Sequence, residues 1–341
     1  MEKSSKPTIR IKSRLPSGNR DVVNYANGNV DIPSELIEEC SMRFEKVMHP
    51  SISFKYKVIT RLPLQYSIVP SSIRSRFLRM SEVDGDLSQH LANEIARKAL
   101  VDAFNTLGFP LRKRDPPAFH ITHDIDSERG LRRARALKDV ENELGLTSTW
   151  FLPSDEYDIN EEIAVDLTVG ARIGSHDTRH DGKLIHIRRH KELVDRLKES
   201  KTELEKIFDK EIICFRAPLL QFSGRIAAGL KEAGYGYDFS VPSWEPMHPT
   251  NFGGFGVESV QPFEVNGIVE TPLTLFQDHQ VLNVQGMSTI EAVKFWTEQA
   301  RLVHSFGGDI VLSVHPDYQF GNNPAAYKKL LISLSEVAKP T

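Results

Sequence analysis

Apolar positions follow two rhythms along this chain. From Ala118 onward, short apolar runs alternate with longer stretches of helical period. The runs at Phe119–Thr122, Ser148–Leu152, Ala171–Gly174, Ile212–Phe215, Tyr235–Phe239, Ile268–Thr271 and Asp309–Val314 predict strands. The stretches Arg129–Leu144, Ile187–Phe208, Gly224–Ala233, Thr289–His304 and Ala325–Val337 predict helices between them. Such alternation implies parallel strands joined by right-handed crossovers, in a barrel or an open sheet. Before residue 118 the pattern is mixed. A helical pattern starts at Asp31 and runs through Leu36, Ile37, Met42, Phe44 and Val47. Phe54–Ile59 alternates like a strand, and Ser88–Leu107 reads as an amphipathic helix. Arg112–Pro117, a charged stretch closed by two prolines, separates an N-terminal α+β extension (1–115) from the α/β unit (118–338).

In parallel α/β folds the working groups sit beyond the carboxyl ends of strands. Polar outliers should therefore follow the apolar runs, and they do. Asp124 and Asp126 follow Ile121, and His176 and His180 follow Gly174. Arg216 follows Phe215, Asp238 ends the run after Gly236, and His315 follows Val314. One carboxylate and two neutral imidazoles suit zinc and tolerate cobalt, nickel or iron. Three protein ligands leave a position open for water, the mark of a catalytic site.

Each signal alone has a plainer reading. Twelve histidines in 341 residues produce roughly 0.4 His-x3-His pairs by chance, and His186/His190 is a second such pair, inside a charged helix. Asp126 or Ser127 could simply cap the helix that follows. Arg216 could be an ordinary ion-pair residue, and His315 a turn histidine before Pro316. The basic run Ile73–Arg79 reads as a solvated helix face or as a contact for an anionic ligand.

Composition narrows the classes. The chain is 40% hydrophobic and 26% charged, as in an ordinary globular protein. Its net charge of −3 argues against a dedicated nucleic-acid binder. Two cysteines, Cys40 and Cys214, do not make a disulfide framework. No apolar run approaches the ~18 residues of a membrane span, and Met1–Pro7 lacks the apolar stretch of a signal peptide, so a cytoplasmic location is expected.

Five segments, taken in order, carry more than any one alone. They are Thr122-His-Asp-Ile-Asp126, Gly174-Ser-His-Asp-Thr-Arg-His180, Phe215-Arg-Ala-Pro218, Gly234-Tyr-Gly-Tyr-Asp-Phe-Ser-Val-Pro242 and Leu312-Ser-Val-His-Pro316. Together they resemble the polysaccharide deacetylase (NodB-like) family of metal-dependent N-deacetylases, in its Asp-x-Asp subgroup. The resemblance spans about residues 118–338 and implies a distorted (β/α) barrel of about seven strands. It implies that Asp124 is the catalytic base, and that Asp126, His176 and His180 hold a divalent metal, zinc before cobalt, nickel or iron. It implies that Arg216 pairs with the base and that His315 protonates the departing amine. Tyr237, Asp238, Pro218 and Trp244 are the substrate-side candidates. Asp238 would orient a histidine or a sugar hydroxyl, and Trp244, with Phe252–Phe255, would stack on a sugar ring or join the core.

Departures from the family pattern are specific. Ile125 separates two aspartates that are often adjacent. His123 stands where Phe is common, and Asp177 where Ser or Thr is usual. Leu219-Leu220 replaces an aromatic and a glycine, which implies a more apolar pocket wall. The expected activity is removal of an acetyl or formyl group from an amino sugar, free, nucleotide-linked or lipid-linked. Alternatives are hydrolysis of a linear or cyclic non-sugar amide on the same scaffold and non-catalytic carbohydrate binding. Residues 1–115 would dock a partner or pack across the barrel, and a homo-oligomer is compatible with the sequence.

Overall fold

The fold was described from a computed structural model, which describes residues 24–26, 29–31, 34–52, 57, 117–245 and 255–339. The expected strand at 54–59 (apart from residue 57), the helix at 88–107, the basic run at 73–79, most of the 112–117 connector and Phe252 lie outside them.

An antiparallel pair comes first, β1 (Asn24–Ala26) with β2 (Asn29–Asp31), followed by helix α1 (Ser34–Met48). The α/β unit then runs β3 (Phe119–Asp124), α2 (Glu128–Leu144), β4 (Ser148–Leu152), α3 (Glu161–Thr168), β5 (Ala171–Ser175), α4 (His190–Phe208) and β6 (Cys214–Phe215). It continues with α5 (Gly224–Glu232), β7 (Tyr237–Asp238), β8 (Phe263–Val265), β9 (Ile268–Glu270), a π-helical segment (His279–Val284), α6 (Thr289–Ser305), β10 (Ile310–Val314) and α7 (Pro324–Ser335).

The strand order is β10-β3-β4-β5-β6-β7-β9-β8, parallel throughout except for the antiparallel β8–β9 pair. The last parallel strand thus lies beside the first, as in a barrel. Among the described residues no ladder joins β10 to the far edge. Residues 271–275 span that gap instead. The Leu273 N–H donates to Val241 O at 2.9 Å, and the Leu275 N–H donates to Val311 O at 3.2 Å. The result is a distorted, incompletely closed (β/α) barrel.

Side-chain alternation builds two cores. Phe151, Cys214, Leu220, Phe239, Leu273 and Val311 pack together as one cluster. Phe119, Ile121, Trp150, Leu152, Phe215, Ile310, Leu312 and Val314 pack under the helices. Gly174 has a steric reason: a Cβ there would lie 2.5 Å from the Phe151 ring on the neighbouring strand. From α1, Phe44, Val47 and Met48 pack against Phe222, Val241 and Phe255, all beyond the carboxyl ends of β6 and β7. No helix among the described residues is long and apolar enough to cross a membrane.

The expected elements that fall within the described residues form, with shifts at their ends. β6 and β7 keep only two paired residues each, because the Gly236 and Tyr237 N–H groups both donate to Ile213 O and break the regular ladder. Helix α4 starts at His190 rather than Ile187, since a separate 3-10 turn occupies Leu184–His186.

Candidate active site

Asp126, His176 and His180 come together, with one potential ligand atom from each lying within 4.8 Å of the others. His176 Nε2 is 3.5 Å and His180 Nε2 3.4 Å from Asp126 Oδ1. The His176 Nδ1–H donates to Arg216 O at 2.8 Å, since a carbonyl can only accept. That leaves the Nε2 lone pair facing Asp126. Asp126 Oδ1 is buried and makes no hydrogen bond. Ligands about 2.0–2.1 Å from a tetrahedral ion lie roughly 3.3 Å from one another, close to the spacing seen here. A divalent cation therefore fits these three groups by donor type, by spacing and by the unsatisfied oxygen. Burial lowers the His180 pKa against the opposing charge of Asp126, which favours the neutral imidazole a metal requires.

The loop carrying both histidines is tied down at Asp177, a buried residue in the left-handed region at φ 67°. Arg196 from α4 grips its carboxylate with two N–H donors, at 2.8 and 2.7 Å, and reaches Asp181 at 2.9 Å. The Ser200 hydroxyl donates to Asp177 O at 2.7 Å, and the His180 N–H donates to Glu156 at 3.0 Å. Asp177 thus anchors the loop through α4. Arg196→Ala is expected to weaken divalent-cation binding by roughly 10- to 100-fold, read by titration against a competing chelator. Unchanged affinity would mean that the remaining bonds hold the loop alone.

A second set of groups adjoins the first. Arg216, fully buried, donates through Nη1 to Asp124 Oδ1 at 2.8 Å and to Thr122 Oγ1 at 2.8 Å, and through Nε to Phe239 O at 3.0 Å. Burial pushes the Asp124 carboxyl up, but the charges of Arg216, His176 and His315 outweigh it and hold the pKa below the usual carboxylate range. His315 Nε2 lies 3.7 Å from Asp124 Oδ2. On its other side, His315 Nδ1–H donates to Asp278 Oδ1 at 2.6 Å, and the His315 backbone N–H donates to Asp278 Oδ2 at 2.9 Å. Burial alone would lower the His315 pKa. The adjacent Asp278 charge and hydrogen bond, with Asp126 and Asp124, raise it to about 10.

Two of these residues escape the sequence reading. Asp278 follows the gap-spanning segment 271–275 rather than a strand, so no strand end points to it. Asp317, two residues beyond His315, accepts the Asp126 N–H at 3.2 Å and the Ser127 hydroxyl. The structure thereby settles the capping alternative. Ser127 occupies the N-cap of α2 without capping it through its side chain, because its hydroxyl is committed to Asp317. Gly130 leaves room for this, since a Cβ there would meet Asp317 Oδ2 at 2.1 Å. Asp278, His279 and His315 also satisfy the spacing of a ligand group, but Asp278 already accepts three N–H groups from His279 and His315.

The substrate-side candidates fare differently. Asp238 shares a sheet face with Phe215 and Glu270, its register neighbours, and is fully buried. Its carboxyl meets the Ser240 hydroxyl and the Glu270 carboxyl, and burial pushes its pKa up to about 6. The carboxylate that orients a histidine is Asp278. Tyr237 is 43% exposed. Pro218 starts a tight turn just beyond Arg216, in which Leu219 and Leu220 both hold positive φ, at 57° and 51°. Two adjacent non-glycine residues in that region store strain of roughly 1–3 kcal/mol each. Trp244 is half-buried, with the Arg43 guanidinium 5.1 Å from its ring centre. Phe255 joins the α1 interface as core.

Solved structures share this architecture. A protein of Mycobacterium smegmatis assigned as a polysaccharide deacetylase superimposes with a TM-score of 0.53, covering 66% of this chain and 86% of its own, at 18% identity. The fold is that of the polysaccharide deacetylases. Chitin deacetylase from Colletotrichum lindemuthianum aligns with a TM-score of 0.43 at 13% identity, over 65% of this chain and 83% of its own. Bacillus subtilis PdaA, a family 4 carbohydrate esterase, aligns at 0.44 and 19% identity, over 67% and 79%. No family model and no curated protein matches the sequence. In this deacetylase fold the two sets of groups lie beyond the carboxyl ends of β3, β5, β6 and β10, the position at which (β/α) barrels carry their chemistry.

Proposed function

We propose that this chain is a divalent-metal-dependent amide hydrolase that removes an acetyl or formyl group from the nitrogen of an amino sugar. The observation that carries the reading is the adjacency of two complementary sets. Asp126, His176 and His180 supply a ligand group with one unsatisfied carboxylate oxygen. Beside it, Asp124 is kept ionised by Arg216, and His315 is kept protonated by Asp278.

A cation held by Asp126, His176 and His180 would lower the pKa of a water and polarise the amide carbonyl. Asp124 accepts the proton of the attacking water through Oδ2, the oxygen that Arg216 leaves open. His315 donates its Nε2 proton to the amide nitrogen as the C–N bond breaks, because an amine leaves poorly as its anion. Arg216 stays charged throughout and prevents Asp124 from sitting protonated at rest.

The amino-sugar assignment rests on the resemblance of the five motifs and on the shared fold. Two measurements test it together: metal content of the purified protein, and amine release from N-acyl amino sugars (free, nucleotide-linked, lipid-linked and oligomeric) beside non-sugar amides. About one divalent ion per chain, with amine and carboxylate released in equal amounts from a sugar, is expected. Release from non-sugar amides alone would move the substrate class. Binding without release would make the chain a carbohydrate-binding protein.

A further inference from the structure

Behind the site lies a buried charged network that the proposed reaction does not use. His123 sits on β3 between Thr122 and Asp124, and strand alternation turns it toward the helices, away from the Asp124 carboxylate. Its ring is fully buried and stacked on Trp150, with centroids 3.9 Å apart. Nδ1 lies 3.1 Å from Val314 O, and Nε2 lies 2.6 Å from Glu141 Oε1. Glu141, on α2, is also fully buried, and it accepts from the Tyr327 hydroxyl at 2.7 Å and the Ser148 hydroxyl at 2.6 Å. Burial pushes the Glu141 carboxyl up, but the His123 charge and these hydrogen bonds outweigh it and keep it ionised. A carbonyl has no hydrogen to give, so the hydrogen between Nδ1 and Val314 O sits on the ring. The Tyr327 hydroxyl also lies 3.1 Å from His123 Nε2, and Lys138 Nζ lies 3.7 Å from Glu141 Oε2.

Packing does not require a polar ring here. A phenylalanine would fill the same volume and keep the stack on Trp150. An apolar substitute for a buried ion pair is often neutral or stabilising, so a retained pair asks for another role. The register supplies one. Val314 on β10 is the register partner of His123 on β3. His123 immediately precedes Asp124, and Val314 immediately precedes His315. One ring, braced from α2, ties the main chain just before the base to the main chain just before the acid.

We propose that His123 is a positioning residue, which with Glu141 and the Val314 carbonyl sets the separation of Asp124 and His315. This deepens the hydrolase reading and rests on it for its kinetic consequence.

The test uses H123F and the double variant H123F/E141Q in the full chain. H123F leaves Glu141 paired with Lys138 Nζ, 3.7 Å away, and with the Tyr327 and Ser148 hydroxyls, so the fold is kept with a modest fall in Tm. In the double variant the neutral amide still pairs with Tyr327 and Ser148, and Lys138 keeps Gly170 O as its acceptor. Well below either transition, kcat in both is expected to be about 10- to 100-fold down while KM and zinc affinity remain within about twofold of wild type. In the crystal structure of the double variant, the Asp124 Oδ2 to His315 Nε2 separation should differ from the 3.7 Å found here by more than roughly 0.5 Å. A double variant with wild-type kcat, or with an unchanged separation, overturns the proposal. If wild-type protein cleaves no amide, the hydrolase reading fails, and the separation still decides the positioning claim.

Discussion

Asp124→Asn is expected to lower kcat by roughly 10²- to 10⁴-fold, the usual contribution of a positioned base, with zinc affinity close to wild type. The amide keeps the shape of the side chain and loses only the ability to take a proton. Asp124 is not among the three groups that fit a cation, so binding and turnover should separate in this one variant. Arg216 then loses its ionised partner in a buried position and retains Thr122 and Phe239 as acceptors. Some loss of Tm follows from that, so kcat must be compared well below the transition, with circular dichroism as the check on folding. Near-wild-type kcat would remove Asp124 from the chemistry.

Changes at His315 should be comparably large but dependent on the leaving group. With an alkylamine leaving, as from a sugar, His315→Ala is expected to lower kcat by roughly 10²- to 10⁴-fold. With an ester or an activated anilide, whose leaving group needs little protonation, the loss should shrink to about tenfold or less. Equal losses on both substrates would contradict an acid role. Asp278→Asn tests the same residue through pH. His315 works while protonated, so activity falls as pH rises through its pKa. Asp278 raises that pKa, and burial opposes it. Removing the charge should move the alkaline limb of the kcat profile to lower pH, while the acid limb stays in place. An unmoved alkaline limb would show that another group sets it.

Much of this site is legible in the sequence for one physical reason. Parallel strands buried on both faces read as short apolar runs, and the first polar residue after each run emerges at the catalytic end. Asp124, His176, Arg216 and His315 all occupy that place. Asp278 does not, because the segment before it bridges the open edge of the barrel without forming a ladder. Its partner lies 37 residues away, and no local pattern links them. Asp317 acts on Asp126 only because β10 returns beside β3, a long-range pairing that periodicity does not encode. Asp238 shows the converse case. It ends an apolar run, but β7 has only two paired residues, too few to reveal which face a side chain takes. The eight-residue helix α3 is a quieter case, too short for its apolar stripe to stand out.

The most direct measurement is anomalous diffraction at the zinc edge from crystals of zinc-loaded protein. The account predicts one strong peak at about 2.0–2.2 Å from a carboxylate oxygen of Asp126 and from Nε2 of both His176 and His180. No peak there, or a peak confined to Asp278, His279 and His315, would contradict it.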